Sequence, residues 1–202
     1  MSCKIILLLF HPPRYSATSD GSDSVTYRAA AYYVNWAIYE RQFNLQDLPA
    51  DKLTHVFYAF ANVKPDTEEV NLNRSKFASS AVSLVANFGL DALDIDWENL
   101  VFDTDAANIV LLFQAVREAL DDYGSSLSLQ YNFTLTVTSP AGPSNYQTMH
   151  LADMDQYIEF WNIMAYDYTG SWSAVTANQG NLFASSMDPA STPFDTQTVV
   201  TR

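Results

Sequence analysis

The stretch Asp91-Ala-Leu-Asp94-Ile-Asp96-Trp-Glu98 sets two chemistries on opposite sides of one extended segment. In a strand, side chains alternate faces, so Asp94, Asp96 and Glu98 point one way and Leu93, Ile95 and Trp97 the other. Successive carboxylates on the acidic face begin roughly 6.6 Å apart, and the longer Glu98 can lean toward Asp96 closely enough to share a proton or a ligand. Three like charges so placed repel, and keeping one of them protonated at neutral pH relieves the repulsion. Glu98, beside a Trp-rich mouth, is the candidate, and a protonated carboxyl is a general acid. A solvated edge strand would explain the acidic face alone. It does not explain Leu, Ile and Trp on the reverse, which suit a strand backed by helices, nor the turn at Gly89 and Asp91 that introduces it. A calcium loop fails on spacing, because with Asp94 as first ligand the sixth position is Asn99 rather than the glycine that the sharp turn needs.

Outward from this strand the chain alternates. Upstream, helical periodicity at Phe77, Ala81, Leu84, Val85 and Phe88 is opened by Ser75 as N-cap and closed by Gly89. Downstream, Asp103 or Thr104 caps a helix with an apolar stripe at Ile109, Leu112, Phe113, Val116 and Leu120, ending at Gly124. Thr134 to Thr138 alternates Thr with Leu and Val, and reads as the next strand. Asp153 to Tyr157 reads as a helical turn before a last clear strand from Phe160 to Tyr166, with Asn162, Met164 and Tyr166 on one face and Asp167 at its mouth. Earlier, Ala29 to Val34 and Leu53 to Phe60 are strands, the second nearly continuous in apolar residues as buried parallel strands are. Strands alternating with helices predict a parallel α/β sheet, whose sites gather at the carboxyl ends of the strands. Trp36, Glu98, Tyr166 and Asp167 all fall at such ends.

Asp91-x-x-Asp94-x-Asp96-x-Glu98 resembles the catalytic signature of glycoside hydrolase family 18, the chitinase family, and Met164-Ala-Tyr166-Asp167 resembles its second motif. The similarity has fungal-type character and runs from about Tyr27 to the C-terminus, through Tyr32-Tyr-Val-Asn-Trp36, Leu53-Thr-His-Val-Phe-Tyr-Ala-Phe60 and Pro140-Ala-Gly-Pro-Ser-Asn-Tyr146. It implies a TIM-type (β/α)8 barrel, of which about five of eight strands are recognisable. Relative to the family, a helix and a strand bearing a Ser-x-Gly-Gly motif are absent between Val70 and Ser75, and the last two strands are not reached. The expected architecture is therefore an incomplete barrel with open sheet edges, through which the chain can self-associate. Ala92 stands where the family usually has glycine, and Asn99-Leu100 where it has Tyr-Pro.

The resemblance also implies a reaction, a substrate-assisted exception to the usual two-carboxylate scheme. Glu98 would protonate the glycosidic oxygen while the substrate's 2-acetamido oxygen attacks the anomeric carbon with retention. Asp96 would orient the acetamido N–H, Asp94 would hold or balance Asp96, and Tyr166 would hydrogen-bond the acetamido oxygen. Met164 and Asp167 would line the same subsite, with Tyr32, Trp36, Phe60 and Trp172 as stacking or lining residues. The expected enzyme is an endo-acting chitinase on chitin or chito-oligosaccharides that uses no metal and no organic cofactor. The alternatives are a lectin-like chitin binder without turnover and a degenerate fragment without activity.

Composition bounds these readings. With 48% hydrophobic and 14% aromatic residues the chain can bury a core, and residues 27–202 read as one partial catalytic domain. A net charge of −13 and a pI near 4.3 argue against nucleic acid or an anionic membrane surface as partner. Residues 1–26 read as a disordered or weakly signal-like leader, with Cys3 in a mobile segment. The apolar run Ile5 to Phe10 is shorter than a secretory h-region, and no small-residue cleavage site follows it. Family resemblance therefore implies an extracellular protein, while the weak signal leaves a cytoplasmic one open. His11, His55 and His150 lie on separate segments without metal-ligand spacing.

Overall fold

The acidic strand lies inside a six-stranded sheet and is buried along its whole length, on both faces. The computed structural model describes residues 3–10, 28–62, 74–97 and 102–201. In chain order the strands are β1 (Cys3–Phe10), β2 (Ala30–Val34), β3 (His55–Asn62), β4 (Ala92–Trp97), β5 (Thr134–Pro140) and β6 (Phe160–Met164). Their spatial order is β2-β3-β1-β4-β5-β6. On one face of β4, Leu93, Ile95 and Trp97 enter the main core with helices α1 (Arg74–Phe88) and α2 (Asp103–Ser126). Burial of the Leu93 or Ile95 side chain is worth roughly 1.5–3 kcal/mol. On the other face Ala92 joins Ile6, Phe57 and Ala59 in a second cluster, with Phe60 and Phe160 at its margin. The methyl group at position 92 therefore does point into the crowded inner face.

Local chemistry explains most of the element boundaries. Gly89 closes α1 with φ +60°, the left-handed conformation that lets the chain leave the helix and enter β4. Along α2 the stripe Ile109, Leu112, Phe113, Val116 and Leu120 is buried as its spacing predicts. The ends of α2 differ from the sequence expectation. Phe102, rather than Asp103 or Thr104, is the N-cap, while Asp103 and Asp105 lie in the first turn, where acidic groups suit the helix dipole. The helix also runs through Gly124 to Ser126. Glycine is required there for a packing reason, because a Cβ would collide with the backbone carbonyl of Tyr131. Three short α-helices, α3 (Pro143–Tyr146), α4 (Leu151–Asp155) and α5 (Thr196–Val200), and single 3-10 turns at Leu45–Asp47, Ala50–Lys52 and Pro189–Ser191 complete the described chain. Among them, α4 starts two residues before the expected turn.

The N-terminal segment departs most from the sequence reading. Cys3–Phe10 is a strand in the middle of the sheet, whereas residues 11–26 of the predicted leader lie outside the described residues. It runs antiparallel to both β3 and β4, setting Lys4 opposite Asp96, Ile6 opposite Asp94 and Leu8 opposite Ala92. All other pairings in the sheet are parallel. Without β1 the facing edges of β3 and β4 would carry two unpaired rows of backbone donors and acceptors, and an apolar strand satisfies both. Among the described residues the sheet thus has one more strand than the five expected, and it is open, with β2 and β6 as its edges. This is the incomplete barrel that the resemblance implies.

One polar clamp fixes the ends of β5 and β6 opposite the mouth. The Glu159 carboxylate accepts from the backbone N–H of Leu135 at 2.6 Å and from Arg117 at 3.1 Å. Arg117, on α2, also donates to the carbonyl of Phe133 at 2.8 Å and pairs with Asp121. Helix and strands are thereby held in one register below the acidic face.

Candidate active site

Asp94 and Asp96 project from the inner face of β4, and β5 supplies their partners. Parallel pairing aligns Asp94 with Thr136 and Ile95 with Val137, so threonines on β5 face the carboxylates while Leu135 and Val137 face the helices. Thr136 donates to Asp94 Oδ1 at 2.6 Å, and Asn162 of β6 donates to the same oxygen at 3.0 Å. Thr138 donates to Asp96 Oδ1 at 3.1 Å and also lies 3.3 Å from the carbonyl of Ile95. Each carboxylate is thus tied to neighbouring strands rather than to its own chain segment.

Burial dominates the electrostatics. Asp94 is 0% exposed, and burial pushes its carboxyl up to about 6; the bonds from Thr136 and Asn162 pull it down, and the charge of Asp96 raises it further. Its second oxygen, Oδ2, is buried without a hydrogen-bond partner among the described residues. A neutral carboxyl carries its proton on such an oxygen. The sequence reading assigned the retained proton to Glu98, but among the described residues Asp94 is the group that burial favours in the neutral form. Glu98 itself lies outside the described residues, as do Asn99 and Leu100.

The remaining candidates surround this pair unequally. Tyr32 of β2 stacks on Phe57 with ring centroids 4.6 Å apart. Burial, then the charges of Asp94, Tyr166 and Asp96, hold its hydroxyl well above the usual tyrosine range, so it stays protonated. Trp36, in the turn after β2, stacks on Phe60 at 6.0 Å and is 53% exposed, leaving part of its ring open to a ligand. The Ala59–Phe60 peptide bond between these layers is cis. Met164 ends β6 beside Pro140. Tyr166 is 56% exposed just beyond it. Asp167 adopts φ 56° and accepts from the Gln179 side chain at 2.9 Å. Trp172 is 70% exposed, with its ring lying against Gly170 and thus tied to the loop after β6. Of the sequence candidates, Tyr32 feels the charges of Asp94, Tyr166 and Asp96, while Trp36 with Phe60 lies at β2 and β3 and Trp172 in the loop after β6.

Three residues of this site were not singled out in the sequence: Thr136, Thr138 and Asn162. The signal was there, since period two places Thr136 and Thr138 on one face of their strand and Asn162 on the face of Met164 and Tyr166. The two described histidines serve elsewhere. His150 pairs with Asp103 at 2.8 Å, His55 bonds the Thr54 hydroxyl and packs edge-on against Phe160, and His11 lies outside the described residues. Among the described residues no three His, Cys, Asp or Glu side chains are grouped to hold a metal ion.

Comparison with known proteins shows the family. The sequence model of glycosyl hydrolases family 18 matches residues 67–201. Endochitinase 1 of Metarhizium robertsii is 31% identical over 91% of this chain, and chitinase 1 of Aphanocladium album is 32% identical over 85%. These alignments cover 58% and 55% of the two relatives, so the chain spans a little over half the length of the curated proteins it matches. Among solved structures, a chitinase from Bacillus thuringiensis superposes with a TM-score of 0.76 at 21% identity, over 86% of this chain and 45% of that one, a likeness of fold.

Proposed function

Because the chain belongs to glycosyl hydrolases family 18, we propose that it acts as an endo-type chitinase, cleaving β-1,4-N-acetylglucosamine linkages by a retaining mechanism in which the substrate's acetamido group is the nucleophile. One observation carries this reading: two adjacent carboxyls, Asp94 and Asp96, are buried in the inner face of the sheet, each held by a hydroxyl from β5, and Tyr32 and Tyr166 share their electrostatic field. A pair so held can keep one member neutral and the other charged. Asp96 accepts the acetamido N–H and stabilises the positive charge that develops as the oxazolinium forms. Tyr166 donates to the acetamido oxygen and steers it at the anomeric carbon. Glu98, two residues beyond Asp96, gives its proton to the leaving oxygen. Met164 and Asp167 line that subsite, and the open faces of Trp36, Tyr32 and Trp172 stack against neighbouring sugars, with Phe60 backing Trp36. The roles of Asp96 and Tyr166 both require an acetamido group. Chitin and its oligosaccharides are therefore the ligands, and cellulose is not.

Such a substrate fits an extracellular setting, and the open edges at β2 and β6 give the chain a route to self-association. The deciding experiment fractionates soluble monomer and assays it on chito-oligosaccharides and cello-oligosaccharides of equal length. Cleavage of the first alone is expected. Equal action on both would refute the reading, and binding of chito-oligosaccharides with no products would leave a lectin-like protein. Glu98→Gln adds the mechanistic arm: turnover should fall at least about 100-fold while oligosaccharide affinity changes less than about threefold, since glutamine keeps the shape without the proton. Retained turnover in this variant would assign the acid elsewhere.

A further inference from the structure

Thr138 contributes more than the filling of a strand. It lies on β5 next to Val137, whose parallel partner is Ile95, and its hydroxyl reaches across to Asp96 Oδ1 at 3.1 Å. Both residues are about 5% exposed, so neither end of the bond competes with bulk water. Among the described residues no other hydrogen bond to Asp96 is found, whereas Asp94 has two donors, Thr136 and Asn162. We infer that Thr138 is a positioning residue for the reaction: it pins one oxygen of Asp96 so that the other is presented to the substrate's acetamido N–H. This rests on the function proposed above.

The physical case is one of torsion. The terminal rotation of an aspartate carboxyl is broad, with no steep well to hold it in a chosen plane. A hydroxyl fixed on a neighbouring strand supplies that plane. Thr138 is itself β-branched and restricted at its first torsion, so its hydroxyl cannot wander far. The same hydroxyl also approaches the carbonyl of Ile95 at 3.3 Å, and its single proton divides between the two acceptors. The carboxylate is the stronger acceptor when charged, so the bond is strongest in the state that the reaction uses. Alignment matters most when positive charge has formed on the acetamido group, so its loss falls on turnover more than on binding.

The test compares Thr138→Val, which keeps the shape and removes the hydroxyl, with Thr138→Ser, which keeps the hydroxyl, on chitotetraose. Expected are a kcat about 10-fold lower for the valine variant, equivalent to about 1.4 kcal/mol, a KM within about twofold of the parent, and near-parental values for serine. If valine does not fold, Thr138→Ala is read in its place. Unchanged kcat, a loss confined to KM, or a serine variant as impaired as valine would overturn the inference. Melting curves show that the variants are folded, and turnover in the parent chain separates the two readings: its absence would remove the proposed function, whereas its presence with an unchanged kcat in the valine variant would remove only the role of Thr138.

Discussion

At the scale of single residues, Asp94 carries the clearest consequence. Its carboxyl is pushed up to about 6 by burial, against about 4 for an aspartate in an unfolded chain. The folded state therefore holds the proton more tightly. Stability from protonated Asp94 is fully present below about pH 4 and is lost as pH rises through about 6. Asp94→Asn stays neutral throughout and keeps an acceptor oxygen for Thr136 and Asn162. Relative to the parent, the variant should gain stability between pH 4 and pH 7, by up to about 3 kcal/mol. Urea melts of both proteins across that range check it, and parallel curves would show that Asp94 ionises in the fold as it does in water. The motif made Asp94 legible as a site residue, but its protonation preference was not, since alternation assigns a face without giving its depth. Asp94 is fully buried between Thr136 and Asn162, and that burial favours its neutral form.

At the scale of elements, β4 and β1 show what a sequence can and cannot disclose. The two faces of β4 could be told apart because period two separated carboxyls from Leu93, Ile95 and Trp97, and no other packing suits both sets. In β1 the run Ile5 to Phe10 is apolar at every position, so nothing local distinguishes a leader from a buried strand. Its place was decided at long range, by unpaired edges on β3 and β4. Gly124 misled for a related reason. It reads as a helix end, yet it is kept by the close approach of the nearby Tyr131 carbonyl, a contact that hydrophobic spacing does not encode. If β1 holds the sheet together, a charge in its inner face should be severe. Ile6 is 1% exposed against Phe57, Ala59 and Ala92. Ile6→Asp is expected to cost about 4 kcal/mol or more, and Ile6→Val only about 1, measured by urea unfolding. An aspartate variant as stable as the valine one would mean that β1 does not sit in the folded sheet.

At the scale of the whole molecule, the six strands form an open wall and the site lies on its inner face. Asp94 and Asp96 are enclosed by β5 and β1, and their burial survives the openness. Tyr166, Trp36 and Trp172, by contrast, are each more than half exposed, although the proposed chemistry needs them close around a sugar. Two consequences follow from elementary electrostatics and packing. Water at the mouth raises the local dielectric and weakens the hold of Asp96 on the developing positive charge. Aromatic groups more than half exposed also have less packing to fix the precise placement that a catalytic constellation requires, where about 1 Å can cost on the order of 100-fold in rate. Beyond β6, the outer surface carries a cleft of about 330 Å³ lined by Trp161, Ile163, Val199 and Val200, apolar surface of the kind that further strands and helices of a barrel would cover. The chain should therefore turn over chito-oligosaccharides slowly on its own, and a version extended past β6 by the two closing strands and their helices, taken from the Metarhizium relative, should be at least about 10-fold faster. The comparison is made on soluble monomer at equal concentration, with melting curves to show that both fold. Equal rates would mean that the buried pair and its hydroxyl partners suffice, and that the far wall of the barrel adds stability rather than catalysis.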